Sequence, residues 1–181
     1  IVPNTRPAPD FWILFSAMAI LAIGVVMVYS ASAVLALHDY GDSFYYLKRQ
    51  LAFAALGVVG MALTMNVDYR LWKKYAGAAL IIGFALLVLV LIPGIGVVRG
   101  GARSWLGIAS FGIQPSEFMK LAMVLFVAKT LADQPSRIVS FTSGLLPMLG
   151  VLGAAFGLIM LQPDLGTGAV LVGATLMVIF A

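Results

Sequence analysis

Glu117 and Lys120 stand in the segment Gln114-Pro115-Ser116-Glu117-Phe118-Met119-Lys120-Leu121, which opens an apolar run reaching Lys129. An isolated charge at the centre of a hydrocarbon layer costs about 2.5–3.5 kcal/mol on insertion scales, so such groups pair or face a polar cavity. Three positions apart on a helix, the two side chains share a face. They can form an ion pair that locks two helices, or they can line a substrate cavity. Asp164 lies in Gln162-Pro163-Asp164-Leu165-Gly166-Thr167-Gly168, between two apolar stretches. An aspartate there can cap the next helix by accepting from its free amides. It can also offer its carboxylate to a cation or a sugar hydroxyl, with the glycines letting the backbone approach a ligand. Arg99 and Arg103 belong to a Gly-rich loop without an acid, and guanidinium holds phosphate bidentately. Ordinary lipid-headgroup contact would use the same residues.

The elements that position these groups follow from composition. The chain has 181 residues, of which 62% are hydrophobic and 10% charged, and its mean hydropathy is +1.08. One water-soluble core cannot hide that much apolar surface, so the bilayer is its solvent. A spanning helix takes roughly 20 apolar residues. Charge-free or nearly charge-free runs predict an all-α, polytopic membrane protein with six helices, at about 11–36, 45–66, 75–92, 115–132, 144–162 and 166–181. The first run is too long for a signal-peptide core and reads as a retained span. The sequence starts with Ile1 and stops inside an apolar run at Ala181, which predicts a fragment of something longer.

With a cytoplasmic N-terminus, inner flanks would hold Arg6, Arg70, Lys73, Lys74, Lys129 and Arg137, against Lys48, Arg49, Arg99 and Arg103 outside. That bias favours N-terminus-in. It also accounts for the net charge of +4 without a nucleic-acid partner, since the basic residues are scattered over short loops. The longest connection, 93–114, would then be external. A structureless loop of that length is usually functional or folded back on the protein. Tyr29, Ser30 and Ser32 end the first span near the outer interface, where an aromatic ring serves as an anchor. Gly153 and Gly157 have the spacing that lets helices approach closely. The pairs Gln114-Pro115, Gln134-Pro135 and Gln162-Pro163 each mark a helix start, because proline fits a first turn.

Several chemistries are poorly served. The chain has no cysteine, which removes disulfides and thiolate metal sites. His38 alone cannot build a zinc centre or a serine-histidine-aspartate site. No Gly-rich loop ends in Gly-Lys-Ser or Gly-Lys-Thr, which argues against a nucleotide-driven pump.

Val28-Tyr29-Ser30-Ala31-Ser32, Lys48-Arg49-Gln50, Asn66-Val67-Asp68-Tyr69, Ala102-Arg103-Ser104-Trp105, Gln114 to Leu121 and Gln162 to Gly168 occur in an order and spacing that resemble the SEDS (shape, elongation, division and sporulation) family. The resemblance is greatest to its division and sporulation branch, and it covers nearly the whole chain. It implies that residues 1–181 are the N-terminal part of a single membrane domain of about ten helices. It further implies a bacterial inner-membrane glycosyltransferase that polymerises lipid II, an undecaprenyl-diphosphate disaccharide-pentapeptide, into the glycan of a septal or spore wall. The implied partner is a class B penicillin-binding protein. The family's catalytic aspartate is expected in a later external loop, beyond Ala181, leaving Asp164 as the candidate base within the chain. Arg103, Glu117, Lys120 and Asp164 match family motif positions; Arg103 would meet diphosphate, Glu117 with Lys120 would shape the cavity, and Asp164 would lie near the sugar or a divalent cation, magnesium or manganese. A flippase for lipid-linked precursors, or a scaffold that recruits a penicillin-binding protein, are the alternatives from other classes.

Overall fold

A computed structural model describes residues 10–99, 101–107, 112–133 and 141–180, without the side chains of Arg99 and Ser143. The chain forms two compact units, Ile1–Asp68 and Tyr69–Ala181.

The first unit is a helical hairpin of α1 (Phe11–Tyr40) and α2 (Tyr45–Met65). Asp10 caps α1, its Oδ1 accepting from the amides of Trp12 at 2.8 Å and Ile13 at 3.3 Å. The helix stops at Gly41, whose φ of 71° suits a residue without Cβ and whose amide donates to the Leu37 carbonyl. Asp42 then organises the turn, accepting from the Phe44 amide at 2.9 Å and from Lys48 Nζ at 2.7 Å. The rings of Tyr40 and Tyr45 stack across the connection at 4.0 Å. Large apolar side chains such as Phe15, Ile23, Val34 and Leu56 are exposed around both helices, as they are on helices solvated by lipid. With 30 residues in α1, the helix is about 45 Å long at 1.5 Å per residue and overreaches a hydrocarbon core of roughly 30 Å.

The second unit holds α3 (Tyr69–Leu91), a β-hairpin, α4 (Pro115–Asp133), α5 (Leu146–Met160) and α6 (Leu165–Phe180). Its core is built from stripes at helical spacing: Ala76, Leu80, Gly83, Leu87 and Val90 on α3, and Met148, Leu152, Ala155 and Ile159 on α5. Met119, Met123 and Val127 of α4 and Leu171 and Ile179 of α6 complete it. Gly83 faces α4, where a Cβ would come within 2.7 Å of Met119 Sδ. A π-helical turn, Phe141–Leu145, runs directly into α5.

Two expectations are corrected. The third helix begins at Tyr69, not near 75, because Arg70, Lys73 and Lys74 continue the helix past the apolar run; Lys73 pairs with Asp133 of α4 at 2.5 Å. The connection 93–114 is not structureless. It contains antiparallel strands β1 (Gly96–Arg99) and β2 (Ala102–Leu106), with a register shift between Val97 and Val98. Gly101 takes φ 86° next to the tip, where glycine has no Cβ penalty. The hairpin is folded back on unit 2 as that loop length suggested: a Cβ on Gly96 would run into the Val90 carbonyl, and Ser104 is buried.

Among the described residues there are six α-helices. By length and composition α1, α2 and α3 can each cross a membrane, and α5 and α6 are shorter apolar helices of 15 and 16 residues. The 19 residues of α4 include Glu117, Lys120, Lys129 and Asp133.

Candidate functional site

Of the residues singled out for chemistry, Glu117 and Lys120 pair in the first turns of α4, Asp164 is tied to the start of α4 through Gln114, and Arg103 stands apart on the hairpin. Pro115 is the first residue of α4, where its missing amide hydrogen is not needed. Gln114 therefore sits just outside the helix, and its carbonyl accepts from the Glu117 amide at 3.0 Å. Its side chain reaches the start of α6, donating from Nε2 to Asp164 Oδ2 at 2.7 Å and to Thr167 Oγ1 at 3.4 Å. Asp164 caps α6: Oδ1 accepts from the Thr167 amide at 3.1 Å, and Oδ2 from the Thr167 hydroxyl at 2.8 Å. Both carboxylate oxygens are thus engaged. Among the described residues no group of three or more histidines and carboxylates could hold a metal. A single carboxylate with an amide donor on Oδ2 does not fit a divalent cation.

Glu117 and Lys120 meet as their spacing requires, with Nζ to Oε1 at 2.7 Å and side chains 58% and 21% exposed. They lie in the first two turns of α4, towards one end of the helix and not at its middle. A carboxylate there also suits the positive helix N-terminus. Arg103 pairs in register with Val98, and its stem lies over Gly96, Cγ being 2.9 Å from the place a Cβ would take there. It is half-buried, and among the described residues its guanidinium has no carboxylate partner. Arg99 ends β1, and its side chain lies outside the described part. No described hydrogen bond joins Arg103 to Glu117, Lys120 or Asp164; the hairpin is instead fixed to this end by a bridge between Leu106 and Ile113, at 2.8 and 2.7 Å.

Sequence reasoning passed over four polar residues here. In the sequence Gln114 and Gln162 stand out only as companions of prolines, and Thr167 and Ser116 only as parts of motifs. Gln162 is fully buried and donates to the Leu87 carbonyl at 3.4 Å, while its Oε1 and the Ser116 hydroxyl are buried with no partner among the described residues. The usable signal was a glutamine next to a helix-opening proline in an apolar chain, since a buried amide needs a partner. Pro115 opens α4 as expected, whereas Pro163 lies outside α6, in the turn before its Asp164 cap, with φ 28°. Gln134-Pro135 lies outside the described residues.

This chain is 51% identical over 175 residues to stage V sporulation protein E of Bacillus subtilis, covering 97% of this chain and 48% of the relative. It is 42% identical over 172 residues to the probable peptidoglycan glycosyltransferase FtsW of Trichlorobacter lovleyi, covering 95% and 45%. The chain therefore spans about half the length of the curated relatives it matches. Its fold superposes on the rod shape determining protein RodA of Thermus thermophilus with a TM-score of 0.76 at 31% identity, covering 96% of this chain and 53% of that one. A chain from a peptidoglycan synthase complex that coordinates polymerization and crosslinking gives 0.75 at the same identity, covering 96% and 47%. The family profile described as cell cycle protein, FtsW, RodA and SpoVE, matches residues 11–181, a stretch that includes both helical units, the Gln114–Asp164 link and the Arg103 hairpin; the chain is a multi-pass membrane protein that belongs to this family.

Proposed function

We propose that the full-length protein containing this chain is a peptidoglycan glycosyltransferase that polymerises lipid II for a septal or spore wall. The observation that carries this is the match over residues 11–181 to a family whose relatives include probable peptidoglycan glycosyltransferases. The reaction joins a sugar 4-hydroxyl to the anomeric carbon of the growing strand and expels the lipid diphosphate; the hydroxyl proton goes to a base and the broken C–O bond leaves its electrons on the diphosphate. Positive charge on that leaving group is what the chemistry needs. Arg103 offers it from a hairpin whose own loop has no acid. Glu117 with Lys120 supplies a charged pair to the wall of the cavity that the family resemblance implies. Asp164 holds the start of α6, and the family resemblance puts the base on an aspartate elsewhere in the longer protein. The bacterial inner membrane is the location, with the N-terminus in the cytoplasm, on the strength of the inward bias of basic flanks. A class B penicillin-binding protein is the partner, a reading supported by the likeness to a chain of a complex that joins polymerization to crosslinking.

Purified full-length protein, alone and with its penicillin-binding protein, is incubated with labelled lipid II. Glycan strands on a gel support a polymerase. Movement of lipid II across liposomes without strands means a flippase, and neither activity means a scaffold. Arg103→Ala should raise the apparent KM for lipid II about tenfold, the loss expected of one charge-assisted hydrogen-bonding group, with Arg103→Lys restoring only part of it. A wild-type KM in the alanine variant returns Arg103 to headgroup anchoring.

A further inference from the structure

At the opposite end of unit 2 from the hairpin, α3 and α4 leave an open groove of about 360 Å³ whose lining includes Tyr69, Trp72, Lys73, Leu125, Ala128 and Lys129. A second, narrower furrow of about 80 Å³ shares Trp72 and Leu125 with it and continues between the same helices to Phe118. The two together have an uneven chemistry. Cations and aromatic rings stand at the helix-end mouth, and only apolar side chains and the Tyr75 ring line the furrow beyond it. From Lys129 to Phe118 the run along α4 is about 16 Å at 1.5 Å per residue, close to the depth of one leaflet, half of a hydrocarbon core of roughly 30 Å.

We propose that this groove is a binding site for one anionic glycerophospholipid, its phosphodiester at Lys129 and Lys73 and one acyl chain laid along the furrow to Phe118. Charge decides the class of lipid. Lys73 is committed to Asp133 at 2.5 Å, whereas Lys129 has no carboxylate partner among the described residues. Lys73, Asp133 and Lys129 together leave one positive charge at the mouth, which a singly charged phosphodiester such as that of phosphatidylglycerol neutralises and a zwitterionic lipid does not. Lys74, which sits over the Tyr75 ring at 5.5 Å, acts in the same sense. Tyr69 and Trp72 are amphipathic rings at the level where headgroup meets hydrocarbon. An inorganic phosphate would satisfy Lys129 but leave the apolar furrow empty, so the lipid is the occupant that uses both parts.

Trp72 lines both cavities and reports on them directly. The full-length protein with Trp72 as its single tryptophan, every other one, Trp12 and Trp105 among them, replaced by Phe, is reconstituted in phosphatidylcholine nanodiscs carrying an equal mole fraction of acyl-brominated phosphatidylglycerol or acyl-brominated phosphatidylcholine, and Trp72 quenching is followed. The proposal expects brominated phosphatidylglycerol to reach half-maximal quenching at a roughly fivefold lower fraction, the preference expected of one uncompensated lysine at the surface. Lys129→Gln should abolish that preference and Lys129→Arg should keep it. Lys73 is left intact because its removal would strand Asp133. Equal quenching by the two lipids in the wild type overturns the site and makes the groove ordinary lipid-facing surface. So does no quenching by either, which would mean that protein covers it. Native mass spectrometry of the full-length protein with its tryptophans unchanged, counting retained phosphatidylglycerol against phosphatidylcholine with and without Lys129→Gln, repeats the comparison independently of the tryptophan changes, and loss of the difference there overturns it equally.

Discussion

Replacing Gln114 with alanine removes the amide that donates to Asp164 Oδ2 at 2.7 Å and to Thr167 Oγ1 at 3.4 Å, and with it the direct tie between the starts of α4 and α6. Hydrogen bonds to a charged group contribute about 1.5–3 kcal/mol in water-soluble proteins. Polar pairs between membrane helices average nearer ~0.6 and reach ~1.7 kcal/mol. Gln114 and Asp164 are half-buried and the acceptor is a carboxylate, so a contribution of about 1 kcal/mol follows. Asp164→Ala loses that bond and also the cap on the Thr167 amide at 3.1 Å, itself about 1 kcal/mol. The single changes should therefore cost about 1 and about 2 kcal/mol, and the double change about 2, because the shared bond is lost only once.

The assay is reversible unfolding in mixed micelles, with a complete double-mutant cycle. Asp164→Asn adds a second discrimination. Its carbonyl oxygen can still cap Thr167, and Gln114 can turn its carboxamide so that Oε1 accepts from the new amide, so it should cost less than Asp164→Ala. Additivity of the two alanine changes within ~0.3–0.5 kcal/mol would refute the link, whatever each costs alone.

Glu117→Gln and Lys120→Met should show a coupling of about 0.5 kcal/mol in a similar cycle, small because the carboxylate is 58% exposed and solvent screens such pairs; coupling above about 2 kcal/mol would place the pair in hydrocarbon. Gly96→Ala should destabilise unit 2 by about 1–3 kcal/mol, since its Cβ would meet the Val90 carbonyl and the Arg103 stem; unchanged stability with unchanged hairpin exchange rates would contradict that close approach. The Asp42 carboxyl is held below its ordinary value of 3.8 chiefly by its bond from Lys48 and next by the Phe44 amide. A depressed native value means the turn's added stability is present above the ordinary range and is lost as pH falls through the lowered native value. Amide exchange at Phe44 should accordingly quicken only below about pH 4, and Lys48→Met should move that onset upward; an onset unmoved by Lys48→Met would show that Lys48 does not set it.

What the sequence disclosed and what it hid divide by range. The six helices were legible because apolar length is a local property, and the Glu117–Lys120 pair because three residues make a turn. The cap at Asp164 was legible for the same reason. Charge misled at the start of α3: Lys73 ends an apolar run yet continues a helix, since its ammonium meets Asp133 on another element. The hairpin was hidden by its glycines, which read as loop although Gly101 serves the turn and Gly96 serves packing on α3. Gln114 to Asp164 and Gln162 to Leu87 join residues 50 and 75 positions apart. No periodicity carries such a pairing, and only the expense of an unsatisfied amide hints that a partner exists.

These long-range bonds also decide what Asp164 can do. Its oxygens already accept from the Thr167 amide, the Thr167 hydroxyl and the Gln114 amide, three of about four lone-pair sites; these bonds stabilise the charged carboxylate and make it a weaker base towards a sugar hydroxyl. The arrangement suits positioning. From β2 a bridge at Leu106 leads to Ile113, the next residue links α4 to α6, and Gln162 just before that cap ties to the carbonyl of Leu87 near the end of α3. Hairpin, α3, α4 and α6 are thereby pinned at one end of the unit, while the other end carries the half-exposed Lys73–Asp133 pair and an open groove. A guanidinium that is to meet a diphosphate needs a support whose own geometry is fixed before the substrate arrives. Arg103 is on the pinned end, so loosening Gln114 should disturb Arg103-dependent binding without touching Arg103 itself.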